Sequence, residues 1–374
     1  MPSPRPFTIE VPEATLIDLM DRLDRTRWPD RELVSDWTQG IPLSYVQDIC
    51  GYWLNTYDWR KTEDRLNSFD NFLITIDGVD IHFMYKKSQA AKSRPLLITH
   101  GWPGSIIEFL NLIDLLVQPL QEGDETFDVV VPSLPGFGFS GKPKAVGWGV
   151  DKIADVWVEI MGSLGYTKFL VQGGDWGAAV SGSIAANYSD SCLGIHTNMP
   201  SVGPRRDTFD DLTPQEEEAL RGSKFYQDWD SGYSKQQSTR PQTLGYGLVD
   251  SPAAQAAWIL EKFYQWTDCD GHPENAVSRD ELLDNVMMYW LSASGTSSAR
   301  IYWESFGRGS RKDVLVPSGC SIFPKEIFKP SKRWVEAVYK DFRYYKVLEK
   351  GGHFAAFENP EQFALELRAC FSKM

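Results

Sequence analysis

The chain has 374 residues, 42% of them hydrophobic and 24% charged, with a formal net charge of −13. At about 150 residues per domain, this length suits two domains or one large domain with insertions. The acidic balance repels phosphate backbones and anionic membranes, which argues against nucleic acid as a partner.

The five cysteines, Cys50, Cys192, Cys269, Cys320 and Cys370, are odd in number, scattered, and form no Cys-x-x-Cys pair. This pattern argues against a disulfide framework and a zinc site, and fits a reducing cytosol. No apolar segment follows Met1-Pro2-Ser3-Pro4-Arg5-Pro6, and no apolar run approaches about 18 residues. The expectation is therefore a cytoplasmic chain without a membrane span. Aromatic residues reach 13%, with 14 tryptophans, which suits an aromatic-lined pocket as well as an aromatic core.

Residues 1 to about 70 read as an extended arm followed by polar-faced helices, with helical apolar spacing from Pro12 to Met20. Phe72 to Tyr85 reads as a hairpin, because two alternating runs flank the tight-turn pair Asp77-Gly78. From Pro95 the pattern becomes alternating strands and helices. Pro95–Thr99, Phe127–Val131 and Lys168–Val171 are short, nearly continuous apolar runs, as strands buried on both faces are. Ile153–Met161 between them is helical in period. This alternation predicts an α/β fold with a mostly parallel sheet. From Gly203 to Phe306 it stops. Thr213-Pro214-Gln215-Glu216 is a capping-box start, and Ala253–Trp266 and Arg279–Leu291 also read as helices. Strand patterns resume at Val314–Val316 and Tyr344–Leu348, and Asn359-Pro360 starts a final helix.

Three motifs carry chemistry. In Val171-Gln172-Gly173-Gly174-Asp175-Trp176-Gly177, a buried strand ends, small residues flank one functional side chain, and a helix follows. This is a nucleophile-elbow pattern with Asp where hydrolases usually carry Ser. An Asp of ordinary pKa, about 3.9, is ionised at neutral pH and needs no base to attack a saturated carbon. It suits an epoxide or an alkyl halide. It does not suit an ester or amide, because the anhydride formed would be no easier to break. A lone Asp at this position would more often cap the next helix.

The second motif is His100-Gly101-Trp102-Pro103-Gly104-Ser105, directly after an apolar strand. The loop after this strand and the residue after the nucleophile supply the two backbone N–H groups of a hydrolase oxyanion hole, here Trp102 and Trp176. His100 reads as a structural hydrogen-bonding residue, and a cis peptide before Pro103 suits the sequence. The third motif is Lys350-Gly351-Gly352-His353-Phe354. Of the five histidines, His82, His100, His196, His272 and His353, only His353 is both late in the chain and on a Gly-flanked loop. A neutral imidazole there could deprotonate water. Asp313, Glu326 and Asp341 remain as candidates for the acid that would orient it, with Glu326 on the loop where a triad acid belongs.

Together these motifs resemble the microsomal-type epoxide hydrolases and their soluble fungal members. The resemblance also covers Arg25-Thr26-Arg27-Trp28-Pro29 and Gly351-Gly352-His353-Phe354-Ala355-Ala356-Phe357-Glu358, and so spans nearly the whole chain. It implies an α/β-hydrolase fold with a helical cap insertion and an N-terminal meander. On that pattern residues 1–90 form the meander, 91–202 and 307–374 the core, and 203–306 the cap. It implies Asp175 as nucleophile, His353 as base and Glu326 as its partner. It also implies that two cap tyrosines, matching Tyr233 and Tyr302, hold the epoxide oxygen. The membrane anchor of some family members has no counterpart in this sequence. The expected partner is a small-molecule epoxide, with no cofactor and no metal; a homodimer is left open. Competing readings are a haloalkane dehalogenase, a biosynthetic enzyme that opens an epoxide on the same scaffold, and a non-catalytic ligand-binding protein.

Overall fold

The most apolar segments of the sequence form the middle of one mixed sheet. In the computed structural model its strands are β1 (Arg5–Pro6), β2 (Asp70–Ile76), β3 (Val79–Lys86), β4 (Ser93–Thr99), β5 (Thr126–Pro132), β6 (Phe169–Gly173), β7 (Cys192–Thr197), β8 (Val314–Ile322) and β9 (Tyr339–Val347). The structure describes residues 2–119, 121, 123–307 and 312–374. Positions 308–311, near the start of the expected second core segment, lie outside the described residues, as does Met1. Among the described residues the strand order is β1-β2-β3-β5-β4-β6-β7-β8-β9. The pairings β1–β2, β2–β3 and β3–β5 are antiparallel, and the rest, from β5–β4 to β8–β9, are parallel.

Every residue of β5 and β6 is buried, so these strands need cover on both faces. Helices Val150–Ser163 and Asp175–Asn187 pack against each other, and Leu110–Val117 and Pro360–Phe371 form a second packed pair. The parallel strands all end toward one edge, where the intervening loops gather. In open α/β sheets that edge is where sites are built.

Local sequence signals act as expected. Asp77 and Gly78 take positive φ in the turn of the β2–β3 hairpin. Thr213 and Glu216 close a capping box, and the Asn359 side chain caps the last helix. Two strands extend beyond their apolar patterns. β8 continues through Pro317 to Ile322, because register shifts on either side of this residue accommodate its missing N–H. The continuation, Ser318-Gly319-Cys320-Ser321, is too small and polar to read as a buried run. β9 starts at Tyr339, ahead of Tyr344, because an edge strand with many partly exposed residues shows no continuous apolar run.

Between β7 and β8 the chain leaves the sheet for helices that include Pro214–Phe225, Gly232–Thr239, Pro252–Trp266, Arg279–Trp290 and Gly295–Ser305. The N-terminal helices brace this excursion. Tyr52 and Tyr57 hydroxyls donate to Asp280 and Asp284 at 2.7 Å, and Arg22 pairs with Asp250 at 2.9 Å. The excursion in turn holds the loops at the strand ends. Asn285 donates to the Pro103 carbonyl at 2.8 Å, Tyr289 to the Gly104 carbonyl at 2.6 Å, and the His353 amide to the Trp266 carbonyl at 2.8 Å. No helix of the described residues is long and apolar enough to cross a membrane.

Candidate active site

Asp175 stands at the sharp turn from β6 into helix Asp175–Asn187, with φ +48°, a conformation a non-glycine residue adopts only under constraint. The turn depends on Gly177 just beyond it. A Cβ on Gly177 would lie 1.9 Å from the Thr99 carbonyl oxygen, so only glycine lets the helix approach β4 this closely. The carboxylate does not cap its helix; Gly174 occupies the cap position and no side chain caps the end. Instead the carboxylate faces the loops. Its Oδ1 accepts from the Trp102 amide at 2.8 Å, and its Oδ2 lies 3.6 Å from His353 Nε2.

The other sequence-predicted groups converge on it. Glu326, on the loop after β8, and His353, after β9, are both buried, with Nδ1 of His353 2.6 Å from Glu326 Oε1. This contact orients the ring and leaves Nε2 facing Asp175. Asp313 and Asp341 are placed elsewhere, in ion pairs with Lys340 and Arg343. His100 is structural: Nε2 accepts from the Leu134 amide at 3.1 Å. Trp102–Pro103 is a cis peptide.

Burial and charge oppose each other here. Burial raises the Asp175 pKa above the usual carboxylate range, while His353 and the amides of Trp102 and Trp176 favour its charged form. Burial works against protonation of His353, but Glu326, followed by Asp175 and Glu108, outweighs it and raises the imidazole to about 9. The carboxylates around this buried ring favour its protonated form.

Tyr233 and Tyr302 also reach the site. Tyr233 stacks on Trp102 with centroids 4.8 Å apart, and Tyr302 packs edge-on to Trp176 at 4.7 Å. The two tyrosine rings are 5.8 Å apart. The Tyr233 hydroxyl lies 3.0 Å from that of Tyr226, whereas the buried Tyr302 hydroxyl has no hydrogen-bond partner among the described residues. Burial lifts both phenols well above their ordinary pKa, so they stay protonated as donors. They border a cavity of about 420 Å³ walled by Trp176, Val202, Phe306 and Phe328, with Asp175 at its floor. Asp175 also borders a second space of about 20 Å³, lined with it by His353, Glu108 and Gly104 and large enough for one water. Among the described residues no cluster of three or more His, Cys, Asp or Glu is arranged to hold a metal ion.

Three residues here escaped the sequence reading. Asn198 accepts from Gln172 at 3.1 Å and lies 3.4 Å from Glu326 Oε2. Nothing in its surroundings in the sequence marks it, and the same holds for Tyr226. Glu108 had a signal: it is the one charge in the apolar run Ile106-Ile107-Glu108-Phe109-Leu110.

Residues 4–109 match the family model of the epoxide hydrolase N terminus, and residues 94–247 match that of the alpha/beta hydrolase fold. A protein of Stigmatella aurantiaca assigned as an epoxide hydrolase is 49% identical, over 99% of this chain and 85% of its own length. Epoxide hydrolase 1 of Sus scrofa is 36% identical, over 97% of this chain and 87% of its own. The crystal structure of juvenile hormone epoxide hydrolase from the silkworm Bombyx mori superposes with a TM-score of 0.92 at 31% identity, covering 100% of this chain and 95% of that one.

Proposed function

The chain belongs to the epoxide hydrolase family of the α/β-hydrolase superfamily, and from that premise we propose that it converts epoxides to vicinal diols through a covalent ester on Asp175. The observation that carries this reading is the position of the Asp175 carboxylate. It borders both an apolar cavity bearing two tyrosines and a one-water space bearing His353.

An epoxide in the cavity offers a ring carbon to Asp175 and its oxygen to Tyr233 and Tyr302. Attack forms the C–O bond of a hydroxyalkyl ester and breaks the ring C–O bond. The emerging alkoxide, far more basic than a phenolate, takes a proton from a tyrosine. Attack also removes the negative charge of Asp175, one of the charges that keep His353 protonated. The imidazolium then gives up its proton, which replaces the one the tyrosine lost. Neutral His353, oriented by Glu326, deprotonates a water that adds to the ester carbonyl. The resulting oxyanion rests on the Trp102 and Trp176 amides. Collapse releases the diol and restores the carboxylate–imidazolium pair. Epoxide and water are consumed, and no other reactant is needed.

The walls of the cavity are apolar, which supports a lipophilic epoxide. In this reading residues 203–306 act as a cap over a core of 91–202 and 307–374, with 1–90 bracing both. Five free, buried cysteines support a reducing, cytoplasmic setting.

A single turnover in heavy-oxygen water tests the covalent route. The label should enter the Asp175 side chain, because the water oxygen joins that carboxyl while an original carboxyl oxygen leaves with the diol. Label appearing only in the first-turnover diol would rule the ester out.

The pH profile has a definite sign. Ring opening needs Asp175 ionised, and a protonated His353 beside it speeds the step. Its rate should therefore rise through a pKa above the ordinary carboxylate range and fall through about pH 9, where the imidazolium is lost. Single-turnover ester formation measured from pH 4 to 11 checks this. A rate that stays flat to pH 11 would contradict the imidazolium assignment.

A further inference from the structure

The buried carboxyl of Glu108 belongs to the water side of the site, and we infer that it holds the hydrolytic water there, its carbonyl oxygen accepting one water hydrogen while His353 Nε2 accepts the other. This inference rests on the covalent-ester reading, since it concerns only the second half of that reaction.

The geometry begins with the loop Gly101–Gly104. A Cβ on Gly104 would lie 1.5 Å from Glu108 Oε1, so the carboxyl fills the space that any side chain at position 104 would need. Glycine thus opens the loop to a carboxyl from the following turn, Ile106–Phe109. Glu108 is 9% exposed and borders the one-water space together with Asp175 and His353. A carboxyl is expensive to bury, and a plain helix-start contact does not require it. The Ser105 amide favours its charged form, which steadies one side of the group, while Glu358, Asp175 and His353 supply the surrounding charge. Burial raises Glu108 to about 8, which favours its neutral form. A neutral carboxyl still accepts a hydrogen bond through its carbonyl oxygen. With two hydrogens fixed, the lone pair of the water points to the third polar wall, the Asp175 carboxyl carbon. Fixing the attack direction in this way lowers the barrier of the step it serves.

Glu108→Met removes the acceptor and keeps the length, and Glu108→Gln keeps an acceptor. Ester formation and ester hydrolysis are measured separately by rapid quench and intact-protein mass spectrometry, using a simple aryl epoxide, with His353→Gln as reference. In Glu108→Met, hydrolysis should slow by about 10- to 100-fold with ester formation within about threefold, so that the adduct dominates at steady state. Glu108→Gln should recover most of the hydrolysis rate. The inference fails if Glu108→Met hydrolyses the ester at the parent rate. It also fails if both variants lose both steps in equal proportion. That is the mark of a packing role, because a loosened loop also moves the Trp102 amide that contacts Asp175 before ring opening. If His353→Gln forms no adduct either, the covalent reading itself falls; an adduct in His353→Gln alone overturns only the role of Glu108.

Discussion

His353→Gln is expected to convert the protein into a stoichiometric trap: one equivalent of epoxide adds to the chain, and turnover falls by about 10³-fold or more. Glutamine can still hydrogen-bond to Glu326, so the fold of the loop is kept. It cannot take a proton from water, so the ester on Asp175 has no route to hydrolysis. The parent ring has Glu326 and Asp175 on either side of it, and both favour its charged form. The variant therefore also removes a cation beside the carboxylate, and ring opening should slow moderately as well. Intact mass after incubation with epoxide reads the outcome directly. A mass increase equal to the whole epoxide, located on the peptide containing Asp175, is the expected result. An inactive protein of unchanged mass would show that His353 acts before the ester.

Asp175→Asn should abolish the adduct together with the activity, lowering diol formation by about 10⁴-fold or more. Asparagine is the appropriate replacement because it tolerates the positive φ of this turn better than alanine, so strain is not confused with chemistry. An amide is a poor nucleophile, and His353 cannot make it a good one. Loss of the negative charge should also lower the His353 pKa, since Asp175 is one of the groups that raise it. NMR titration of the ring would show its midpoint falling from about 9. Protein whose mass still shows the intact amide, yet which forms diol at the parent rate, would remove Asp175 from the mechanism.

Position along the chain made some of this legible. Gly173-Gly174-Asp175-Trp176-Gly177 announces a strand, a turn and a helix, and the constraint is local: small residues are needed where backbones meet. His353 was found by its order in the chain and its glycine neighbours. Glu326 was one of three acids, and the 2.6 Å contact with Nδ1 separates it from Asp313 and Asp341. Tyr233 and Tyr302 had no local mark and depended on resemblance alone. The lengths of β8 and β9 were hidden, because a proline within one and the exposed side chains of the other break the apolar pattern on which strand recognition rests.

By itself the sequence determined the α/β alternation, the helical interruption between its two halves, and the placing of a carboxylate at the strand–turn–helix elbow. These follow from periodicity and from backbone sterics that act over a few residues. The tertiary structure decided which acid faces His353, which charges surround that ring, and that Glu108 and Asn198 border the same place. Those properties depend on charges and dipoles brought together from distant parts of the chain, and a pKa reports the summed field of neighbours that no local pattern encodes.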